Sequence, residues 1–91
     1  MTAYMAQIER SNRKDLKDVE VEVTITDLSP GRQAWSGEFM SRSADGILPN
    51  ERLALTFDTG QKGTARVNET RFDSRNPDAT VVVFTGTGPL A

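Results

Sequence analysis

The feature that most constrains the fold is the strict alternation of residues 19–28, VEVEVTITDL. Its apolar residues share one face of an extended chain: Val19, Val21, Val23 and Ile25. Successive side chains of a strand point to opposite faces, so this pattern predicts a strand with one face buried and the other in water. Half-buried strands of this kind are typical of antiparallel sheets.

Further strands are predicted after that segment, at residues 33–40, 51–58, 62–72 and 79–86. The turn at 29–32, SPGR, has the Pro-Gly order of a type II turn, and DTGQ at 58–61 offers Gly60 for a positive φ. In the segment 62–72 we expect a bulge near Glu69 or Thr70, which would return Phe72 to the core. Short strands at this spacing predict an all-β fold, a small antiparallel barrel or sandwich of five to six strands.

The 91 residues are enough for one domain, which we divide into an N-terminal segment, 1–18, and a β-barrel domain, 19–91. The N-terminal segment is expected to be either a short helix or flexible, because Tyr4, Met5 and Ile8 would line one stripe of a helix.

The last predicted strand is apolar on both faces at residues 81–84, so each face requires a cover. The barrel core is one cover. The second face is covered by the N-terminal helix or by a partner chain, or else the strand simply lies centrally in a closed barrel.

The chain contains no cysteine and no histidine. Thiolate nucleophiles, imidazole bases and the metal sites built from these side chains are therefore excluded. Glu20 and Glu22 share a strand face but are expected to be solvated, without a pocket that would fit them for acid–base work. The oxygen-rich loop of Asp73, Asn76 and Asp78 lacks the spacing of a calcium loop and is interpreted as turn capping. We expect no enzymatic activity, no metal and no cofactor.

Charge is balanced along the chain, with 11 basic and 13 acidic residues and a net charge of −2. A nucleic-acid-binding domain of this size would normally carry a basic excess. No segment is long enough for a membrane span, and residues 1–18 have no signal-peptide layout. We therefore expect a soluble, cytoplasmic protein without nucleic-acid or membrane partners.

Trp35 is predicted to be a core residue, with Gly37 on the same strand face making room for its ring. The sequence TGTG near the C-terminus could start a phosphate-binding turn, but no helix can follow it within this chain. We interpret Gly86 and Gly88 as strand terminators and expect Leu90 to stay in solvent, because two glycines make an ordered tail entropically costly.

Two segments, RSNRK at 10–14 and TDLSPGR at 26–32, resemble the paired motifs of PilZ domains, small barrels that bind cyclic di-GMP. Those domains use an arginine motif RxxxR and a strand-end motif DxSxxG. Arginine forks grip phosphates and guanine edges through two parallel hydrogen bonds. The ligand-binding residues that the resemblance implies are Arg10, Arg13, Lys14, Asp27 and Ser29.

The sequence departs from the PilZ pattern at two places. Lys14 stands where the second arginine belongs, and lysine cannot reproduce the planar fork of arginine. Arg32 occupies the glycine position of the DxSxxG motif, and the nearest glycine, Gly31, comes one residue before that position. The primary interpretation is a non-catalytic binding, assembly or structural module with a protein partner or self-association; the alternative is a PilZ-like or degenerate PilZ sensor.

Overall fold

The computed structural model describes residues 2–10, 14–29, 32–42, 46–72, 74–88 and 90, and within these ranges it contains six strands and no helix. The strands are β1 (Thr2–Arg10), β2 (Leu16–Ser29), β3 (Arg32–Arg42), β4 (Arg52–Phe57), β5 (Lys62–Phe72) and β6 (Ala79–Gly86). They form a closed antiparallel barrel in the order β1-β2-β3-β6-β5-β4, since β1 also pairs with β4. The predicted all-β barrel is confirmed.

Alternation along each strand fills the barrel interior with apolar side chains. On β2, Val21 and Val23 are buried whereas Glu20 and Glu22 are exposed, as the sequence pattern predicts. The prediction is wrong for Ile25, which is 38% exposed, and Val19 is only half-buried. The most completely buried large side chains are Trp35, Phe84, Ile8, Leu53, Leu55, Val21, Val67 and Val82.

The expected N-terminal helix is wrong, because residues 2–10 form β1 and pair with both β2 and β4. Tyr4 and Ile8 belong to the inward face of this strand, and Ile8 is fully buried. Met5 lies on the outer face and is exposed. The adjacent apolar residues Tyr4 and Met5 resemble part of a helical stripe, but the residues of β1 that face inward follow the period of two that is typical of a strand.

Strand β6 lies between β3 and β5, so the closed barrel accounts for its two apolar faces. Val82 and Phe84 are buried in the core, and Val81 and Val83 are half-buried on the outer wall. The Arg71 side chain crosses this outer wall: Arg71 pairs with Val81 across β5 and β6, and its guanidinium lies 3.5 Å from the carboxylate of Glu38, which pairs with Val83.

The predicted bulge in β5 is present, with a register shift between Val67 and Glu69. The shift moves Phe72 to the same side as Thr80 and Val82, but Phe72 is 79% exposed. The expectation that it joins the core is therefore wrong. Phe72 is the last residue of β5 and extends beyond the packed part of the barrel.

One end of the barrel is closed by Trp35, whose core position is confirmed by an exposure of 2%. Its indole N–H donates a hydrogen bond to the carbonyl oxygen of Gly88. Leu90 is half-buried against the core, and its backbone N–H donates to the Gln33 side-chain oxygen at 3.2 Å. The expectation that Leu90 stays in solvent is wrong, since Leu90 packs against the core and Gly88 is bonded to the indole.

Two other glycines, rather than Gly37, make room for the Trp35 ring. A Cβ at Gly86 would collide with the indole Nε1 and Cε2 atoms, and one at Gly63 would lie 2.7 Å from Cζ2. At Gly37 a Cβ would instead meet the backbone of Glu22 and the ring of Phe84. The indole therefore lies against two glycine backbones.

The opposite end of the barrel is closed by an ion pair between Arg10 and Glu51. The Arg10 guanidinium donates from Nε to one carboxylate oxygen at 2.7 Å and from Nη2 to the other at 3.0 Å. The Arg10 side chain is only 2% exposed and that of Glu51 16%. Two parallel hydrogen bonds compensate much of the cost of removing both charges from water.

Candidate functional site: an acidic seam between β2 and β3

The ladder between β2 and β3 stops before either strand ends. Pairing runs from Ser29 with Arg32 to Val21 with Phe39, yet β2 begins at Leu16 and β3 continues to Arg42. Before Val21, the β2 residues Leu16, Val19 and Glu20 pair with β1, and the β3 residues after Phe39 pair with β6. The barrel wall is thus open along a seam, which we define as the gap between residues 18–20 of β2 and residues 40–41 of β3.

A bulge in β2 lies close to the opening. The register between β1 and β2 shifts between Ala6 and Ile8, which leaves one extra residue on β2. Asp18 lies at this shift with a φ of 54°, a left-handed conformation that side-chain-bearing residues adopt rarely. The side-chain amide of Gln7 donates a hydrogen bond to the Oδ1 atom of Asp18 at 3.0 Å. Bulges bend the strand that carries them, and the β2–β3 ladder ends at Val21, three residues from Asp18.

The seam forms a groove of about 550 Å³ with an apolar floor and an acidic rim. The floor, meaning the apolar part of the lining, consists of Val19 and Phe39 on the inward face of the wall and Met40 and Val81 on its outer face. The rim consists of Asp18, Glu20, Glu22 and Glu38. No lysine or arginine lines the groove among the described residues. Its volume lies within the usual range of ligand pockets, roughly 300 to 1,000 Å³.

Two carboxylates of the rim face each other across the ladder, since Glu22 pairs directly with Glu38. Like charges in this position destabilise a sheet. The Arg71 guanidinium offsets part of the repulsion through its 3.5 Å contact with Glu38, but the two side chains are 57% and 38% exposed. Ion pairs as exposed as this contribute little to stability. The sheet therefore retains an unfavourable pair at the edge of the groove.

A metal ion does not fit the described residues, among which no three acidic side chains are grouped closely enough to hold one. The rim carboxylates are spread along the two strands and suit separate positive groups. Of the loop residues interpreted as caps, the Asn76 side chain accepts a hydrogen bond from the Asp78 backbone N–H at 3.2 Å, and Asp73 lies outside the described residues.

The residues implied by the PilZ resemblance are not brought together. Arg10 and Lys14 are at the end of the barrel where β2 begins, and the Arg10 backbone N–H donates to the Asp15 carboxylate. Asp27 and Ser29 are at the opposite end of β2. From Leu16 to Asp27 the strand spans on the order of 35 Å at ~3.3 Å per residue, and the long dimension of the molecule is 42 Å.

Arg10 is also unsuited to gripping a ligand, because its fork holds Glu51 inside the barrel. Lys14 and Asp27 are exposed, Arg13 lies outside the described residues, and Ser29 is the last residue of β2. A shared nucleotide site would have to span most of the molecule's length.

The sequence contained a partial signal for the seam. Glu20 and Glu22 were visible as an acidic strand face, and both are exposed. Asp18 and Glu38 were missed as site residues, because the pairing of Glu38 with Glu22 depends on the register of two strands. A register of this kind is set by turn geometry and core packing, which a local pattern does not show.

Comparison of the chain with protein-family models, with curated proteins and with solved structures finds no significant match. In the part of the chain that the structure describes, no helix is long and apolar enough to cross a membrane.

Proposed function

We propose that this protein is a non-catalytic binding module that engages a protein partner through the acidic seam. Packed apolar side chains occupy the inward positions of the barrel, and this favours the outer wall as the surface that binds a partner. Trp35 with the segment after β6 closes one end, and the Arg10–Glu51 pair closes the other. A ligand of appreciable size would therefore bind on the outer wall.

The observation that carries the proposal is the direct opposition of Glu22 and Glu38 beside an apolar groove. The pair lowers stability in the isolated barrel. Natural sequences break local rules of this kind mainly at functional sites. A partner that brings positive charge to the rim would convert the repulsion into attraction, and apolar side chains would cover Met40 and Val81.

Several features support a non-catalytic role. The chain has no histidine or cysteine, and of the rim carboxylates Asp18, Glu20 and Glu22 are exposed and Glu38 is half-buried. The acidic face would repel nucleic acid, whose binding requires positive charge. The absence of cysteine supports the cytoplasm as the compartment.

Site-specific photo-cross-linking in the cells that produce the protein tests the proposal. A cross-linking residue replaces Thr24, which is exposed on the outer face of β2 close to the rim, or Thr59, which is exposed in the turn between β4 and β5. We expect a defined protein partner to be captured from position 24 and not from position 59. Equal capture from the two positions, or none from either, would contradict the proposal.

A stability measurement separates a binding role of Glu22 from a structural one. Glu22→Gln removes one of two opposed charges, so it should stabilise the barrel by about 0.2–1 kcal/mol while it weakens capture of the partner. The matched control is Asp27→Asn, an exposed change on the same strand away from the rim. Loss of both stability and capture in Glu22→Gln would indicate that the residue only supports the fold.

A further inference from the structure

The seam offers backbone as well as side chains to a partner. Val19 and Glu20 on β2 are not paired with Met40 and Ser41 on β3, although the register would place them opposite each other. The peptide groups on the groove side of these residues take no part in a β2–β3 ladder. Open strand edges of this kind are templates for pairing with another chain.

Charge and shape specify what would fit this edge. The rim places carboxylates at intervals along two strands, too dispersed in the described residues for one metal ion. The floor between them is apolar. In an extended chain alternate side chains point to opposite sides, so a segment with basic and apolar residues in alternation would direct the basic ones outward to the rim glutamates and the apolar ones inward to Val19 and Phe39.

We propose that the seam binds an extended polypeptide segment in which lysine or arginine alternates with apolar residues, and that this segment adds as a strand to the free edge of β3. The proposal rests on the proposed function and specifies its partner class. In recognition by strand addition, main-chain hydrogen bonds supply affinity and the pockets for alternate side chains supply specificity. The rim of Asp18, Glu20, Glu22 and Glu38 supplies that specificity here.

The test uses the full chain, labelled with ¹⁵N, and the capped peptide Lys-Val-Lys-Val-Lys-Val-Lys at 0.15 M salt. We expect saturable binding with NMR shift changes centred on residues 18–22 and 38–41, and slower amide hydrogen exchange at Met40 and Glu20. Shift changes centred on other strands would overturn the proposal.

Charge reversal provides the matched pair of variants. Glu22→Lys should weaken binding at least tenfold, and Asp27→Lys should leave it within about twofold. Asp27 lies about 16 Å further along β2 at ~3.3 Å per residue, beyond the screening length of about 8 Å at this salt concentration. Glu22→Lys also places opposite charges across the ladder from Glu38, so it should fold, which circular dichroism checks. Equal weakening by the two variants would mean that net charge, not the seam, attracts the peptide.

A second peptide with the same side chains but with alternate backbone nitrogens methylated tests strand addition itself. It should bind at least tenfold more weakly, because methylation removes main-chain donors. Equal binding of the two peptides would refute the strand mode.

Sedimentation of the chain without peptide tests the competing occupant. We expect a monomer; self-association that Glu22→Lys abolishes would assign the seam to a second copy and overturn the peptide proposal. If a partner is cross-linked from position 24 while no peptide binds at the seam, the proposed function stands and only this inference fails.

Discussion

Replacing Gly86 by alanine tests how tightly the Trp35 end of the barrel is packed. A Cβ at this position would overlap the indole Nε1, Cε2 and Cδ1 atoms, all of which belong to the five-membered ring. The indole cannot move away freely, since Gly63 lies against its other ring and its N–H is bonded to Gly88. The added methyl group must therefore displace a fully buried side chain.

The expected magnitude combines two effects. Overpacking of a dense core typically costs about 1–3 kcal/mol. Movement of the indole would also break its hydrogen bond to the Gly88 carbonyl oxygen, a loss of about 1 kcal/mol. We expect Gly86→Ala to lower the free energy of unfolding by about 2–4 kcal/mol, which for a domain of this size corresponds to a fall in Tm of roughly 10 °C or more.

Urea denaturation followed by circular dichroism measures this change. Gly88→Ala is the matched control, because a Cβ there has no atom within 4 Å, and it should stay within about 0.5 kcal/mol of the unchanged protein.

A double-mutant cycle then identifies the atoms responsible. In a Trp35→Phe background the five-membered ring is absent, so Gly86→Ala should cost at least about 1 kcal/mol less than in the unchanged protein. An equal cost in both backgrounds, or a cost below about 0.5 kcal/mol in the unchanged protein, would refute the packing argument.

Leu90→Ala should lower the free energy of unfolding by about 1 kcal/mol, since Leu90 is half-buried and full burial of a leucine contributes about 1.5–3 kcal/mol. The control Leu48→Ala changes a leucine that is 61% exposed, and its stability should stay within about 0.5 kcal/mol of the unchanged protein in the same urea denaturation. Arg10→Ala should lower the free energy of unfolding by about 3 kcal/mol, because it leaves the largely buried Glu51 carboxylate without its partner. Changing both residues to leucine should recover most of that stability. Equal losses of stability in the single and the double variant would contradict the pairing. Cyclic di-GMP should give no thermal shift, whereas a ligand present at a hundred times its dissociation constant would add about 2.7 kcal/mol and a clear rise in Tm.

Much of the barrel was accessible from the sequence because period-two alternation is a local property. Val21 and Val23 are buried and the glutamates beside them are exposed, as the pattern predicts. Strand β1 escaped prediction because Tyr4 and Met5 are adjacent apolar residues, and only pairing with strands on both sides shows that Met5 faces outward. Phe72 was misplaced because a register predicts which side a residue faces and not whether the core extends that far.

The site was less accessible, since it depends on contacts between distant residues. Arg10 matched a ligand-binding motif, but its partner Glu51 lies 41 positions away and holds it inside the barrel. The seam begins beyond Val21, close to the bulge at Asp18, and the alternation that starts at Val19 does not show where the β2–β3 ladder ends.

The position of β6 has a consequence for how the protein is made. Among the six strands this one is synthesised last, yet it pairs with both β3 and β5 and so closes the barrel. Until it emerges, the other five strands can form only an open sheet in the order β3-β2-β1-β4-β5, with unpaired edges on β3 and β5. Exposed strand edges of this kind favour aggregation during folding. Stalled translation or proteolysis before residue 79 should therefore yield aggregation-prone fragments. The barrel should complete its fold only after β6 has been synthesised.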